Sequence, residues 1–191
     1  MRVILASSSP RRAAIMDLAE IEYEVLPSKF EEILNSDLDV EEQSKELAYG
    51  KAKEVFDRTQ GDRAIIGADT IVVKDGKIYG KPHDKVNAVK MLKDFQGNIH
   101  TVYTSIAILI ESGGEFKEFQ ETIKTDIMVH EMSDEEIEDY IDKEEPFDKA
   151  GAYAIQSSFC KYIDDIEGNY MSVIGLPVDR VYQILKENDC I

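Results

Sequence analysis

Apolar positions change their spacing along the chain, between about two residues and about 3.6, and the changes mark the elements. Residues 2–6 form a short apolar run with β-branched members and predict a buried strand. Ser9 is placed to cap a helix over 10–19, with Pro10 at its first position, where a missing N–H costs nothing. A strand at Glu22 to Leu26 is closed by Pro27. Val40, Leu47, Ala48, Ala52, Val55 and Phe56 repeat at helical spacing and predict a helix over 40–58. RAIIGADTIVV then reads as a long buried strand, and Lys74-Asp75-Gly76-Lys77 as a hairpin turn. Ala88, Met91, Leu92 and Phe95 share one side of a helix over 84–95.

HTVYTSIAILIE and EFKEFQETIKTDIMV predict two long strands joined at Ser112-Gly113-Gly114. Ser133 and Glu136 have capping-box spacing and open a helix that must stop before Pro146. AYAI, KYIDDI and YMSVIG read as strand-like pieces with a turn at Glu167-Gly168-Asn169, and a last helix covers 177–187. Helices separate some strands and hairpins join others, so the expected class is α/β with a mixed sheet. The chain contains no internal repeat or linker, and a single domain over 1–191 is expected.

Four features break this pattern, and such breaks tend to mark functional positions. Arg11 and Arg12 follow Pro10 in the first turn of a helix, where the dipole prefers acids by roughly 0.3–1 kcal/mol per charge. The turn SSSPRR supplies the hydroxyls of Ser7, Ser8 and Ser9 with helix-start N–H groups and an arginine fork, which suits an anion. The alternative is two surface arginines after an ordinary cap. Asp69 shares a strand face with Ile65, Gly67, Ile71 and Val73, where an unpaired carboxylate costs several kcal/mol. Gly67 and Ala68 are expected to leave room there for a close approach. Lys51 lies on the apolar stripe with Leu47 and Val55, either snorkelling or facing a ligand. Lys81-Pro82 and Asp148-Lys149 put lysines in loops beside glycine.

Charge sharpens this picture. With 22 basic and 39 acidic residues the net charge is −17, which argues against a polymeric nucleic-acid partner. The acidic excess gathers at 31–46 and 133–148, where a solvated helix face is the plain explanation. A few cations in so acidic a chain suit a small polyphosphate with a divalent cation, while a carboxylate handles water. No run of 18 apolar residues predicts a membrane span, and Pro10-Arg11-Arg12 interrupts any leader-like apolar start. Cys160 and Cys190 form no disulfide framework, so a cytoplasmic location is expected. Neither cysteine has a metal-type partner spacing, and the three histidines are scattered.

At these residues the sequence resembles the Maf family of nucleoside triphosphate pyrophosphatases, once called septum formation proteins. LASSSPRR, FEE, LAYGKA, IIGADTIVV, GKP, DKAGAYAIQ and GNYMSVIGLP occur in order over nearly the whole chain. The resemblance implies a two-lobed α/β fold around an elongated mixed sheet, similar to inosine triphosphate pyrophosphatase, and usually a homodimer. It also implies hydrolysis of a nucleoside triphosphate between the α and β phosphates with a divalent cation, Mg²⁺ or Mn²⁺. Asp69 matches the family's proton acceptor, whether as base, metal ligand or both, and Glu32 an acidic residue near the metal. Arg12, Lys51 and Lys81 match cations that hold the triphosphate, with Ser8 beside them. Arg11, Thr70 and Gln156 match the positions that divide the family's branches, and here look like the dTTP/UTP branch. Ala154 and the IQSSFC continuation depart from a glycine-rich pattern beside Gln156. The same reaction on 7-methyl-GTP or another purine triphosphate, and a non-catalytic nucleotide-binding regulator of cell division, are the alternative readings.

Overall fold

Strand β1 (Arg2–Leu5) lies between two parallel neighbours, β2 (Glu24–Val25) and β3 (Arg63–Lys74), in the computed structural model, which describes residues 1–33 and 37–191. Helices α1 (Pro10–Leu18) and α2 (Val40–Asp57) supply the connections that parallel pairing demands. β4 (Lys77–Tyr79) folds back on β3 antiparallel, with Val72 opposite Tyr79. After α3 (Lys85–Phe95) come the long strands β5 (Ile99–Ser112) and β6 (Glu115–Val129), then α4 (Asp134–Glu144) and the edge strand β7 (Ile163–Glu167). Helices α5 (Tyr170–Ile174) and α6 (Val178–Glu187) close the chain. The strand order is β2-β1-β3-β5-β6-β7, with β4 on β3, so the expected mixed sheet is present.

The chain divides into two compact units. The first comprises Met1–Asp69, Thr104–Ile123 and Gly175–Ile191, and the second Thr70–Tyr103 and Lys124–Ile174. Ile4, Ala48, Ala52, Val55, Ile65 and Leu109 anchor the core of the first. Phe95, Leu92, Tyr140, Tyr153 and Phe159 anchor that of the second. Among the described residues, no helix is long and apolar enough to cross a membrane.

Three local expectations change. AYAI forms tight 3-10 turns and irregular backbone rather than a strand, with Ala152 at φ 61°, and Tyr153 and Ile155 still reach the core. YMSVI is helix α5 rather than a strand, because the Asn169 side chain accepts the Ser172 N–H and so caps a helix at the expected turn. Ser9 occupies the N-cap of α1, yet its hydroxyl does not cap; its own N–H donates to the Ser7 hydroxyl at 3.2 Å. Of the acidic stretch 31–46, residues 34–36 lie outside those described.

Candidate active site

The first unit gathers Arg12, Glu32, Lys51 and Asp69 around one buried carboxylate. Asp69 ends that unit's part of β3 and is 5% exposed. Facing it, α2 brings Lys51 inward from the stripe it shares with Leu47 and Val55. The Lys51 ammonium donates to Asp69 Oδ1 at 2.7 Å and pairs with Glu32 Oε1 at 2.9 Å. Snorkelling is therefore the wrong account of this lysine. Asp69 Oδ2 is buried and has no partner among the described residues. A buried carboxylate oxygen left bare is costly, and that cost signals a partner that arrives from outside.

Gly67 shows why β3 and α2 lie so close. A Cβ at Gly67 would stand 2.2 Å from the Ala48 carbonyl oxygen and 2.9 Å from the Ala52 Cβ. The room expected beside Gly67 is filled by α2, so this glycine sets the Lys51–Asp69 distance rather than opening space for a ligand.

Arg12 hangs from the first turn of α1, with Nε donating to the Gly175 carbonyl at 2.8 Å and Nη1 to Ser7 Oγ at 3.2 Å. Burial pulls its pKa below the usual guanidinium value; Asp69 and Glu32 oppose that shift, and neighbouring Arg11 adds to it. The arginine is thus half-buried, braced by main chain and Ser7, and within the field of both carboxylates. This answers the dipole penalty: the first turn of α1 carries its cation for the site, not for the helix.

Glu32 reaches the cluster on a docked segment. Glu54 of α2 accepts from the Ser28 hydroxyl at 3.1 Å and the Lys29 N–H at 2.9 Å, and pairs with Arg58. Burial raises the Glu54 pKa, but these donors outweigh it and hold the carboxyl below its ordinary value. Phe30 covers Gly50, where a Cβ would come within 2.4 Å of the ring. Sequence reasoning missed both supports. The available signal was Gly50 itself, because a glycine inside a helix costs about 1 kcal/mol relative to alanine and so asks for a reason.

The donor set fits a divalent cation of the magnesium type. The described residues contain no group of three or more His, Cys, Asp or Glu side chains able to hold a metal. Mg²⁺, however, commonly takes one or two carboxylates and completes its shell with water and phosphate oxygens. Asp69 Oδ2 and Glu32 provide such a pair.

The remaining expected residues are distributed as follows. Ser8 is exposed and Arg11 half-buried, both beside Arg12 in the first unit. Ser7, not Ser8, is the buried serine that contacts Arg12. Thr70, Lys81 and Gln156 belong to the second unit: Thr70 half-buried on β3, Lys81 exposed after β4, and Gln156 exposed in the turn after Tyr153. Within that unit the Lys81 and Lys149 loops are tied by the Gly151 N–H, which donates to the Gly80 carbonyl at 3.0 Å.

Known proteins similar to this chain match it over nearly its whole length. The chain is 42% identical over 188 residues to the "dTTP/UTP pyrophosphatase" of Alkaliphilus oremlandii (strain OhILAs), covering 98% of this chain and 96% of that protein. It is 40% identical over 186 residues to the protein of the same name from Thermoanaerobacter sp. (strain X514), covering 97% and 96%. Among solved structures, a HAM1 protein from Coxiella burnetii matches at 14% identity over 68% of this chain and 73% of that chain, with a TM-score of 0.44. A family model described as Maf-like protein matches residues 2–188. With that match running nearly end to end, the chain belongs to the Maf family.

Proposed function

We propose that this chain is a dTTP/UTP pyrophosphatase that cleaves between the α and β phosphates to give the nucleoside monophosphate and pyrophosphate. The reading rests on one observation above the others: a buried aspartate with one oxygen on a lysine and the other without a partner among the described residues. A scaffold has no use for a bare buried carboxylate oxygen, whereas a hydrolase needs one aimed at water. Two relatives near 40% identity carry that activity in their names.

Asp69 Oδ2 orients the attacking water and accepts its proton, while Lys51 fixes the carboxylate's rotamer through Oδ1. Arg12, half-buried and braced at Gly175 and Ser7, offers its charge to phosphate oxygens with little reorganisation. Lys81 supplies a second cation and Ser8 a hydroxyl on the phosphate side. Asp69 and Glu32 would hold a Mg²⁺ or Mn²⁺ ion, which supplies charge neutralisation at phosphate oxygens and a polarised water. Arg11, Thr70 and Gln156 frame the pyrimidine, with the Gln156 amide reading its carbonyl and N–H edge. The working form is a homodimer in the cytoplasm.

Pyrophosphate release from dTTP by the purified protein with Mn²⁺ tests the activity directly. Asp69→Asn should lower turnover by at least about 10²-fold while nucleotide still binds. Near-wild-type turnover in that variant removes Asp69 from the mechanism. A side-by-side kcat/KM panel with GTP and 7-methyl-GTP decides the base: a purine in first place overturns the pyrimidine assignment.

A further inference from the structure

Gln156 sits in a tight turn that begins at Ala154 and ends at Ser157. The Ser157 N–H donates to the Ala154 carbonyl at 3.1 Å, and the Ser157 hydroxyl donates to the same oxygen at 2.8 Å. Tyr140 of α4 closes the turn from below. Its hydroxyl accepts the buried Ala154 N–H at 3.3 Å and stands 3.3 Å from Ser157 Oγ. Since the Ser157 hydrogen is already given to a carbonyl, the phenol must be the donor in that last contact. The three bonds form a closed ring: Ala154 N–H to Tyr140, Tyr140 O–H to Ser157, Ser157 O–H to the Ala154 carbonyl. Every donor is used once, and such chains polarise one another.

The ring is built on rigid ground. Tyr140 is 3% exposed and packs edge-on against Phe159 with centroids 5.1 Å apart. On the far side of the turn, the Ser158 N–H and hydroxyl both donate to Glu144, at the end of the same helix. Ser157 and Ser158 stand where the family resemblance leads one to expect glycine-rich chain, so the hydroxyl clamp replaces flexibility with a fixed geometry.

We propose that Tyr140, acting with Ser157, is a positioning residue for base selection: its hydroxyl joins both ends of the turn and fixes the backbone that carries Gln156. The proposal rests on the reading of Gln156 as the base-contacting residue. A displacement of about 1 Å in a positioning element is enough to cost on the order of 10²-fold in rate. The turn carries none of the phosphate-side residues, so its disturbance should be felt by the base alone.

Tyr140→Phe keeps the ring and removes the hydroxyl; Ser157→Ala removes the second strut with less risk to folding. Both are assayed for kcat/KM with dTTP, UTP, CTP and GTP, beside the inhibition constant of inorganic tripolyphosphate, which has phosphates and no base. Each variant should lower the preference for dTTP and UTP over GTP by about tenfold, the scale of a lost buried hydrogen bond, and the double variant should lose little more. Tripolyphosphate inhibition should stay within about twofold. Unchanged base preference in both variants, or an equal loss for tripolyphosphate, overturns the proposal. Gln156→Ala separates the two layers. If it alters the preference while Tyr140→Phe and Ser157→Ala do not, only the positioning role fails; if it alters nothing, the base reading fails and the inference with it.

Discussion

Lys51 shows how much one side chain can settle. From the sequence it was a lysine on an apolar stripe, equally suited to snorkelling or to a ligand. In the fold its ammonium stands between Asp69 and Glu32, and it is 8% exposed. Removing one member of a buried pair costs about 3–5 kcal/mol, because the partner is left charged and dry. Lys51→Ala should therefore lower both turnover and melting temperature. Adding Asp69→Asn should restore most of the stability, since the uncompensated charge is gone, and none of the activity. A single variant that melts like the wild type would mean that solvent already reaches Asp69. The choice of Asp69, Lys51 and Arg12 was legible because each residue violates a local rule: a carboxylate on an apolar strand face, a lysine in a stripe, an arginine at the wrong helix end. Three consecutive serines in a turn have no period, so the sequence does not show which of them is buried; the fold buries Ser7 against Arg12 and leaves Ser8 exposed.

Among the elements, α2 does the most for the site. It presents Lys51 on one turn, accepts β3 against Ala48 and Ala52, and anchors the segment bearing Glu32 through Gly50 and Glu54. By propensity alone, Gly50→Ala should stabilise the helix by about 1 kcal/mol. Here the new methyl would meet the Phe30 ring at 2.4–2.7 Å, so Phe30 must move and Glu32 with it. The expected outcome is a small change in melting temperature with a several-fold rise in the Mn²⁺ concentration needed for half-maximal turnover. An unaltered metal requirement would show that Glu32 does not depend on the Phe30 contact. The elements themselves were largely readable, since long amphipathic or alternating runs such as β3, β5, β6 and α4 have unambiguous periods, and the ends of α4 are written in its capping box and Pro146. The stretches 150–160 and 170–174 were not. Their apolar residues reach the core from 3-10 turns and a five-residue helix, which are too short to show a period, and the Asn169 cap reads as a turn.

On the scale of the whole molecule, stability and chemistry meet in the response to acid. His100 is 1% exposed in the core of the second unit, stacked on Phe95 at 4.3 Å, with Nε2 2.6 Å from the Tyr153 hydroxyl. Its Nδ1 has no partner among the described residues. Burial pushes the imidazole pKa down to about 4; Asp126 opposes the shift and Lys74 adds to it. In the unfolded chain the same ring titrates near its ordinary value of 6.5. Between those values the unfolded state binds the extra proton, so stability is fully present above pH 6.5 and drains away as pH falls toward 4. The size of the loss from this group is about 3 kcal/mol, a large share of the 5–15 kcal/mol that holds a typical protein together. Denaturant unfolding followed from pH 7.5 to 5 should show this slope well above the range in which ordinary carboxylates titrate. His100→Gln, which keeps an amide near the Tyr153 hydroxyl and cannot titrate, should flatten it. Equal slopes in the two proteins would mean that the ring finds an acceptor for its second proton inside the fold.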